Sequence, residues 1–227
     1  MRKAAIISAM KLEIEFVEKT LVGRDDWVKR NDNVYYSKEY DLEIYSDVLG
    51  VGKVNAAYRT AEIILEYKPD VIINVGFAGG LQRGASVGDL AIGRSYVQED
   101  LHTVLSENRV DIGDTPDWLI DILEKSAESL HLPYYVGKIA TGDYFLGSSA
   151  KKQEIIREHG AIAFDMETAA IAQVATLKNV DFVGIRTFSD LADDEALETA
   201  GALKIENRIP IEERPIVLAI TALEKAS

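Results

Sequence analysis

Short apolar runs suited to buried strands alternate with stretches of helical spacing along nearly the whole chain. Lys3–Ser8 is such a run, and Lys11–Leu21 then takes helical spacing through Leu12, Phe16 and Leu21. Val34–Leu49 reads as two antiparallel strands with Asp41 near the turn. Lys53–Tyr67 predicts a helix with Val54, Ala57, Ala61, Ile64 and Leu65 on its apolar stripe. Asp70–Val75 predicts a buried strand, Gly76–Gly88 a glycine-rich loop, and Leu90–Glu99 a further strand. Asp117–Leu130 follows as a helix that Pro116 is placed to open. The second half repeats the alternation, with strands Tyr134–Thr141, Ala161–Asp165 and Asp181–Phe188. Its helices are Ala150–His159 (closed by Gly160), Thr168–Leu177 and Pro215–Lys225. Such alternation implies a largely parallel sheet covered on both faces. No linker, internal repeat or low-complexity segment interrupts it, so a single α/β domain over residues 1–227 is expected.

Charge and composition narrow the function. Lys and Arg number 25 against 38 Asp and Glu, a net charge of −13, which argues against nucleic acid or an anionic membrane as the partner. No apolar run approaches the ~18 residues of a membrane span. The opening MRKAAIISAM runs at once into the acidic, amphipathic KLEIEFVEKT, unlike a signal peptide. The chain has no cysteine, which excludes disulfides and thiolate metal sites and fits the reducing cytoplasm. His102, His131 and His159 show no ligand spacing, so no metal is expected. No cofactor is expected either. Gly50-Val51-Gly52-Lys53 is followed by Val54 where a phosphate-binding loop needs Ser or Thr, and no dinucleotide fingerprint occurs.

In sheets of this class ligands bind beyond the carboxyl ends of the strands. There the chain collects Met10 and Glu13, Phe77-Ala78-Gly79, Phe145-Leu146, Asp165-Met166-Glu167, and Arg186 with Ser189-Asp190. Each has a plainer reading by itself. Glu13 and Glu167 can favour a helix dipole, Asp190 can cap a turn, Phe145 can fill a core, and the glycines can make a tight turn. What argues for a site is that carboxylates, an arginine, an aromatic ring and glycine loops gather on one rim.

Together these segments resemble the nucleoside phosphorylase/nucleosidase superfamily, and more closely its methylthioadenosine/S-adenosylhomocysteine nucleosidases. The resemblance rests on AMKLE (Ala9–Glu13), GVGKVNAA (Gly50–Ala57), PDVIINVGFAGG (Pro69–Gly80), VGD (Val87–Asp89), TGDYF (Thr141–Phe145), DMET (Asp165–Thr168) and SD (Ser189–Asp190), in matching order. It implies a mixed central sheet partly closed into a barrel and flanked by helices, assembled as a homodimer. It also implies a small-molecule nucleoside substrate, with hydrolysis of the N-glycosidic bond of a 5′-modified adenosine to adenine and the free sugar. By the same resemblance Asp190 is the general acid at the purine, Glu13 positions and deprotonates water, and Arg186 helps hold that water. Glu167 matches the carboxylate that binds the ribose hydroxyls, and Met166 packs beneath the sugar. Phe145 stacks on the base, the Leu146 backbone reads its edge, and Ser189 orients Asp190. Met10 and Val51 line the sugar and 5′ group, Ala78 and Gly79 approach base and sugar, and Asp165 belongs to the same substrate-binding segment.

The chain departs from that pattern at three places. Phe77 stands where a small hydroxyl residue is common, and the histidine-containing sequence usual after the sixth strand reads here as Gln98-Glu99-Asp100-Leu101-His102. The stretch after Asp190 lacks the aromatic usually brought over the 5′ group. A partner-subunit loop that caps such pockets is expected near Leu101–Pro116. The rival readings are a hydrolase of another nucleoside of the futalosine type, a phosphate-dependent phosphorylase and a non-catalytic nucleoside binder. A phosphorylase needs an anion site where this chain carries Glu13, which would repel phosphate.

Overall fold

The computed structural model describes residues 2–102, 112–201 and 209–227. In chain order the first half contains β1 (Arg2–Ser8), α1 (Lys11–Leu21), β2 (Val28–Asn31), β3 (Val34–Ser37), β4 (Leu42–Val48), α2 (Lys53–Tyr67), β5 (Val71–Gly80) and β6 (Leu90–Gln98). The second contains α3 (Asp117–Leu130), β7 (Tyr134–Thr141), α4 (Ser149–His159), β8 (Ala161–Asp165), α5 (Thr168–Lys178), β9 (Asp181–Asp190), α6 (Ala196–Gly201) and α7 (Arg214–Lys225).

Buried on both faces, β1 runs parallel between β4 and β5, and its Ala and Ile residues feed two separate cores. Ala4 and Ile6 pack under α1, α3 and α7, whereas Ala5 and Ile7 pack under α2 and α5. This is the period-2 geometry of a strand sandwiched between helical layers. The branch point is β5. Val71–Asn74 pairs with β1, Val71–Gly79 runs parallel to β9, and Gly79–Gly80 turns antiparallel onto β8. From β8 the sheet passes through β7 and β6 back to β9, closing a five-stranded ring. The fold is therefore an α/β domain whose mixed sheet is partly closed into a barrel. Parallel and antiparallel pairings are interspersed, so the largely parallel sheet implied by alternation alone gives way to a mixed one.

Three further expectations are revised. The Gly76–Gly88 segment begins as strand, because β5 continues through Gly80 to bridge β9 and β8, and β9 likewise runs on to Asp190. The edge strand β2 and the short α6 have no clear sequence pattern to announce them. On α2 the buried face is Ala56, Thr60, Ile63 and Ile64, turned to α5, while Val54 and Leu65 are 80% and 64% exposed. The helix carries two apolar faces, and periodicity cannot choose between them. Among the described residues no helix is long and apolar enough to cross a membrane.

Candidate active site

A cavity of roughly 390 Å³ opens where the carboxyl ends of β1, β5, β7, β8 and β9 converge. That lies within the ~300–1,000 Å³ common for small-molecule sites. Met10 and Glu13 enter it from the head of α1, Val51 from the head of α2, and Phe77, Ala78 and Gly79 from β5. Phe145 and Leu146 come from the segment after β7, Asp165, Met166 and Glu167 from the β8–α5 junction, and Ser189 and Asp190 from the end of β9. Ala9, Leu12, Tyr144, Phe164 and Ala200 complete the wall. Sequence reasoning passes over these five. Tyr144 lies inside a quoted motif, whereas Ala200 sits on α6, which has no pattern to reveal it.

Glu13 is the third residue of α1, and its carboxylate accepts from the Met10 N–H at the helix cap (3.0 Å) and from the Phe77 N–H on β5 (2.9 Å). The capping bond and the site are thus one construction, and each carboxylate oxygen keeps a further lone pair. Burial raises the proton affinity of Glu13, against the pull of nearby Arg186. Gly76, at φ +152°, separates the two: a Cβ there would lie 2.6 Å from Glu13 Oε1 and collide with Arg186 Nη1. Only glycine lets the backbone pass between the acid and the guanidinium.

Arg186 itself lies beneath the cavity floor and is 1% exposed. Its guanidinium donates to the Val75 carbonyl (3.0 Å) and to Thr168 Oγ1 (2.7 and 3.1 Å), and pairs with Asp165 Oδ2 at 2.7 Å. Asn74, with its amide nitrogen on the Ile7 carbonyl (3.1 Å), turns its oxygen to the same guanidinium. Asp165 borders the cavity, but its carboxylate is occupied by Arg186, Thr168 and Thr141 (2.6 Å). Arg186 thus stands off the cavity wall with its charge bearing on Glu13, and Asp165 borders the cavity with its carboxylate already partnered. A buried ion pair satisfied on every side is rigid, and removing one partner leaves the other uncompensated.

Two further carboxylates line the cavity. Glu167, at the head of α5, accepts from the Gly52 N–H at the start of α2 (2.8 Å). Burial, then the neighbouring Asp165 carboxylate, raise its pKa to about 7, with Arg186 opposing. Asp190 accepts from Ser189 Oγ at 2.7 Å and from the Ala192 N–H at 2.8 Å. Burial raises its proton affinity too, while those two hydrogen bonds act the other way. Phe145 stands at the mouth, 52% exposed, its ring outside the packed cores. Three carboxyl groups that hold protons beyond their ordinary range, set around one apolar cavity with an uncommitted ring, can move protons to and from a flat, partly polar ligand. Among the described residues no group of three or more His, Cys, Asp or Glu is arranged to hold a metal ion.

A family model described as the phosphorylase superfamily matches residues 3–223. A 5′-methylthioadenosine/S-adenosylhomocysteine nucleosidase of Staphylococcus aureus is 34% identical over 201 residues, covering 84% of this chain and 87% of that protein. The chain belongs to this nucleosidase family within the phosphorylase superfamily. A solved nucleosidase of the same description from Neisseria meningitidis, in complex with methylthio-immucillin-A, superposes with a TM-score of 0.82 at 28% identity over 100% of both chains. The futalosine hydrolase of Helicobacter pylori is similar in fold, with a TM-score of 0.82 at 24% identity, covering 100% of this chain and 98% of that one.

Within this nucleosidase framework the departures acquire positions. Phe77 is half-buried on the cavity wall, next to the strand N–H that holds Glu13. Asp100 pairs with Lys53 Nζ at 2.5 Å and accepts from the Asp143 N–H at 2.9 Å, so the unusual post-β6 sequence ties α2 to the Thr141–Phe145 motif. Glu99 is buried between Lys151 (2.7 Å) and the Tyr144 hydroxyl (2.5 Å). Part of the expected partner loop, residues 103–111, lies outside the described residues, as do residues 202–208 of the stretch after Asp190.

Proposed function

We propose that this chain hydrolyses the N-glycosidic bond of 5′-modified adenosines of the methylthioadenosine and S-adenosylhomocysteine class, releasing adenine and the free ribose sugar. The observation that carries the reading is the pairing of two differently built carboxyl groups on one cavity. Burial raises the proton affinity of Asp190, and Glu13 is pinned by two backbone N–H groups with lone pairs to spare.

Cleavage of the bond leaves an oxocarbenium-like sugar and an electron-rich purine. Asp190 gives its proton to N7 so that adenine departs neutral, and Ser189 Oγ together with the Ala192 N–H receives the charge that appears on the carboxylate. Glu13 accepts a proton from water as that water adds to the sugar carbon. Arg186 holds Glu13 in place through the strand at Gly76 and biases it toward its charged form. Glu167 takes the ribose hydroxyls with the lone pairs that the Gly52 N–H leaves free, Met166 packs beneath the sugar, and Phe145 closes over the base. Binding a diol favours the ionised Glu167, so substrate draws this group out of its half-protonated free state.

A homodimer belongs to the same proposal. Val54, Tyr58 and Leu65 form an exposed apolar face on α2, and that helix begins beside Val51 on the cavity wall. The location proposed from composition is the cytoplasm. The deciding experiment incubates the protein with methylthioadenosine, S-adenosylhomocysteine, adenosine and inosine, with and without phosphate, and identifies the products. Free sugar at a rate independent of phosphate is expected. A phosphate-dependent rate yielding sugar 1-phosphate would replace hydrolysis with phosphorolysis.

A further inference from the structure

The turn that carries Asp190 is tied to α4 at two points. Asp194 accepts from the Ser149 N–H (3.2 Å) and Oγ (2.7 Å) at the first turn of the helix. Lys152, almost one turn further along, reaches back to donate from Nζ to the Leu191 carbonyl at 2.5 Å. Its neighbour Lys151 is spent in ion pairs with Glu99 and Glu154. Lys152 by contrast is half-buried and forms no ion pair among the described residues; its charge bears on Asp193 and Asp190. On the opposite side the turn is braced by β5, where a Cβ on Gly79 would lie 2.9 Å from the Ala192 Cβ. Ala192 itself holds a left-handed φ of +51°, uncommon for a residue with a side chain, and in doing so aims its N–H at Asp190.

We propose that Lys152 is a positioning residue for the acid: its ammonium holds the Leu191 carbonyl, and with it the Asp190 turn, while presenting a positive charge to the carboxyl group. The inference rests on the reading of Asp190 as general acid. Such a group must keep its proton until the substrate is seated and then release it cheaply. Burial serves the first need. Ser189, Ala192 and the Lys152 charge serve the second, because each stabilises the carboxylate formed as the proton leaves. Among the described residues the charged groups around Asp190 are Asp193 on its own turn, which opposes proton release, Lys152 on α4, and Glu13, Asp165 and Glu167 on the cavity wall. Among the described residues of that set Lys152 is the one cation, held where burial already weakens its own grip on a proton.

The test compares wild type with Lys152→Met, Lys152→Arg and Asp193→Asn in two measurements: the pH profile of kcat and KM, and the titration of the Asp190 carboxyl by carbon NMR in the free protein. Lys152→Met should lower kcat near neutral pH about tenfold, a fraction of the ~10²–10⁴ carried by a direct proton donor, with little change in KM. It should also displace both the Asp190 titration and the alkaline limb of kcat to higher pH, since loss of a cation strengthens proton retention. Lys152→Arg should restore both readings, and Asp193→Asn should displace the titration to lower pH. An Asp190 titration unmoved in Lys152→Met overturns the inference whatever happens to the rate. A fall in kcat with no displacement, not rescued by Lys152→Arg, reduces Lys152 to a structural tie and overturns it as well. Should Lys152→Met fail to fold, an unmoved titration in Asp193→Asn decides against the electrostatic arrangement. If the wild type hydrolyses no nucleoside, the proposed function falls while the titration still judges the lysine.

Discussion

The two ends of the cavity are built on opposite plans. Glu13 sits above a buried lattice in which Arg186, Asp165, Thr168, Thr141 and Asn74 come from five separate strands and helices or their junctions. Asp190 is held by its own neighbours, Ser189 and Ala192, with α4 bracing the turn from outside. A water-activating group has to meet its water ionised and in place, which the Arg186 charge and the rigid ion-pair network beneath it favour at the cost of fragility. A proton donor has to change charge on every turnover. Short-range hydrogen bonds can follow that change without disturbing the core.

The largest expected effect tests whether both ends are needed. Asp190→Asn and Glu13→Gln should each lower turnover at least about a hundredfold, from the ~10²–10⁴ range of acid–base groups. They should part company in stability. In Asp190→Asn the new amide oxygen can still accept from the Ala192 N–H, so thermal unfolding should barely move. In Glu13→Gln the new amide must turn an N–H toward Met10 or Phe77, leaving a buried donor unpaired at a cost of about 1–3 kcal/mol. A folded Asp190→Asn variant with near wild-type turnover would mean that the acid is another group.

Next in size is the lattice itself. Arg186→Met leaves the Asp165 carboxylate buried without its cation, and denaturant unfolding should report a loss of about 3–5 kcal/mol. An equally stable variant would show that the two ends do not differ as described. A smaller effect concerns pH. The free protein holds Glu167 with a pKa of about 7, above the ordinary 4.5 that it regains on unfolding. Between those values the folded state binds the extra proton, so the contribution of this group to stability is full below about 4.5 and is lost as pH rises through 7. Glu167→Gln should flatten that part of the stability–pH curve, as measured by chemical denaturation across the window.

The smallest effect belongs to Phe77, where the two ends meet. Its ring lines the cavity, and Phe77→Ser should change the ratio of specificity constants for methylthioadenosine and S-adenosylhomocysteine by about tenfold, broadening the range of 5′ groups accepted. An unchanged ratio together with a lower unfolding temperature would assign the ring to the stability of the loop alone.

Local pattern accounts for much of the architecture. Lys11–Leu21, Asp117–Leu130, Tyr134–Thr141 and Ala161–Asp165 coincide with their elements because capping residues, helical spacing and short apolar runs act within a few residues of chain. The site was legible for a related reason: its residues follow directly on strand ends, and chain order alone puts those ends on one rim. What stayed hidden depended on distant partners. The continuation of β5 through Gly80 needs β8 and β9 alongside, and the choice between the two apolar faces of α2 needs α5.

The sequence by itself determined which residues stand at the rim, since strand, turn and helix signals are short-range and repeat in order. Only the tertiary structure decided which way their side chains turn. Arg186 turns beneath the cavity toward Asp165 at its border because a buried charge is tolerated only beside its counter-charge, and the two lie 21 positions apart in the chain. Glu167 reaches the head of α2, and Lys152 the carbonyl beside Asp190, across 115 and 39 positions. Hydrogen bonds and ion pairs at such separations leave no periodicity to read, because the chain must already be folded before either partner meets the other.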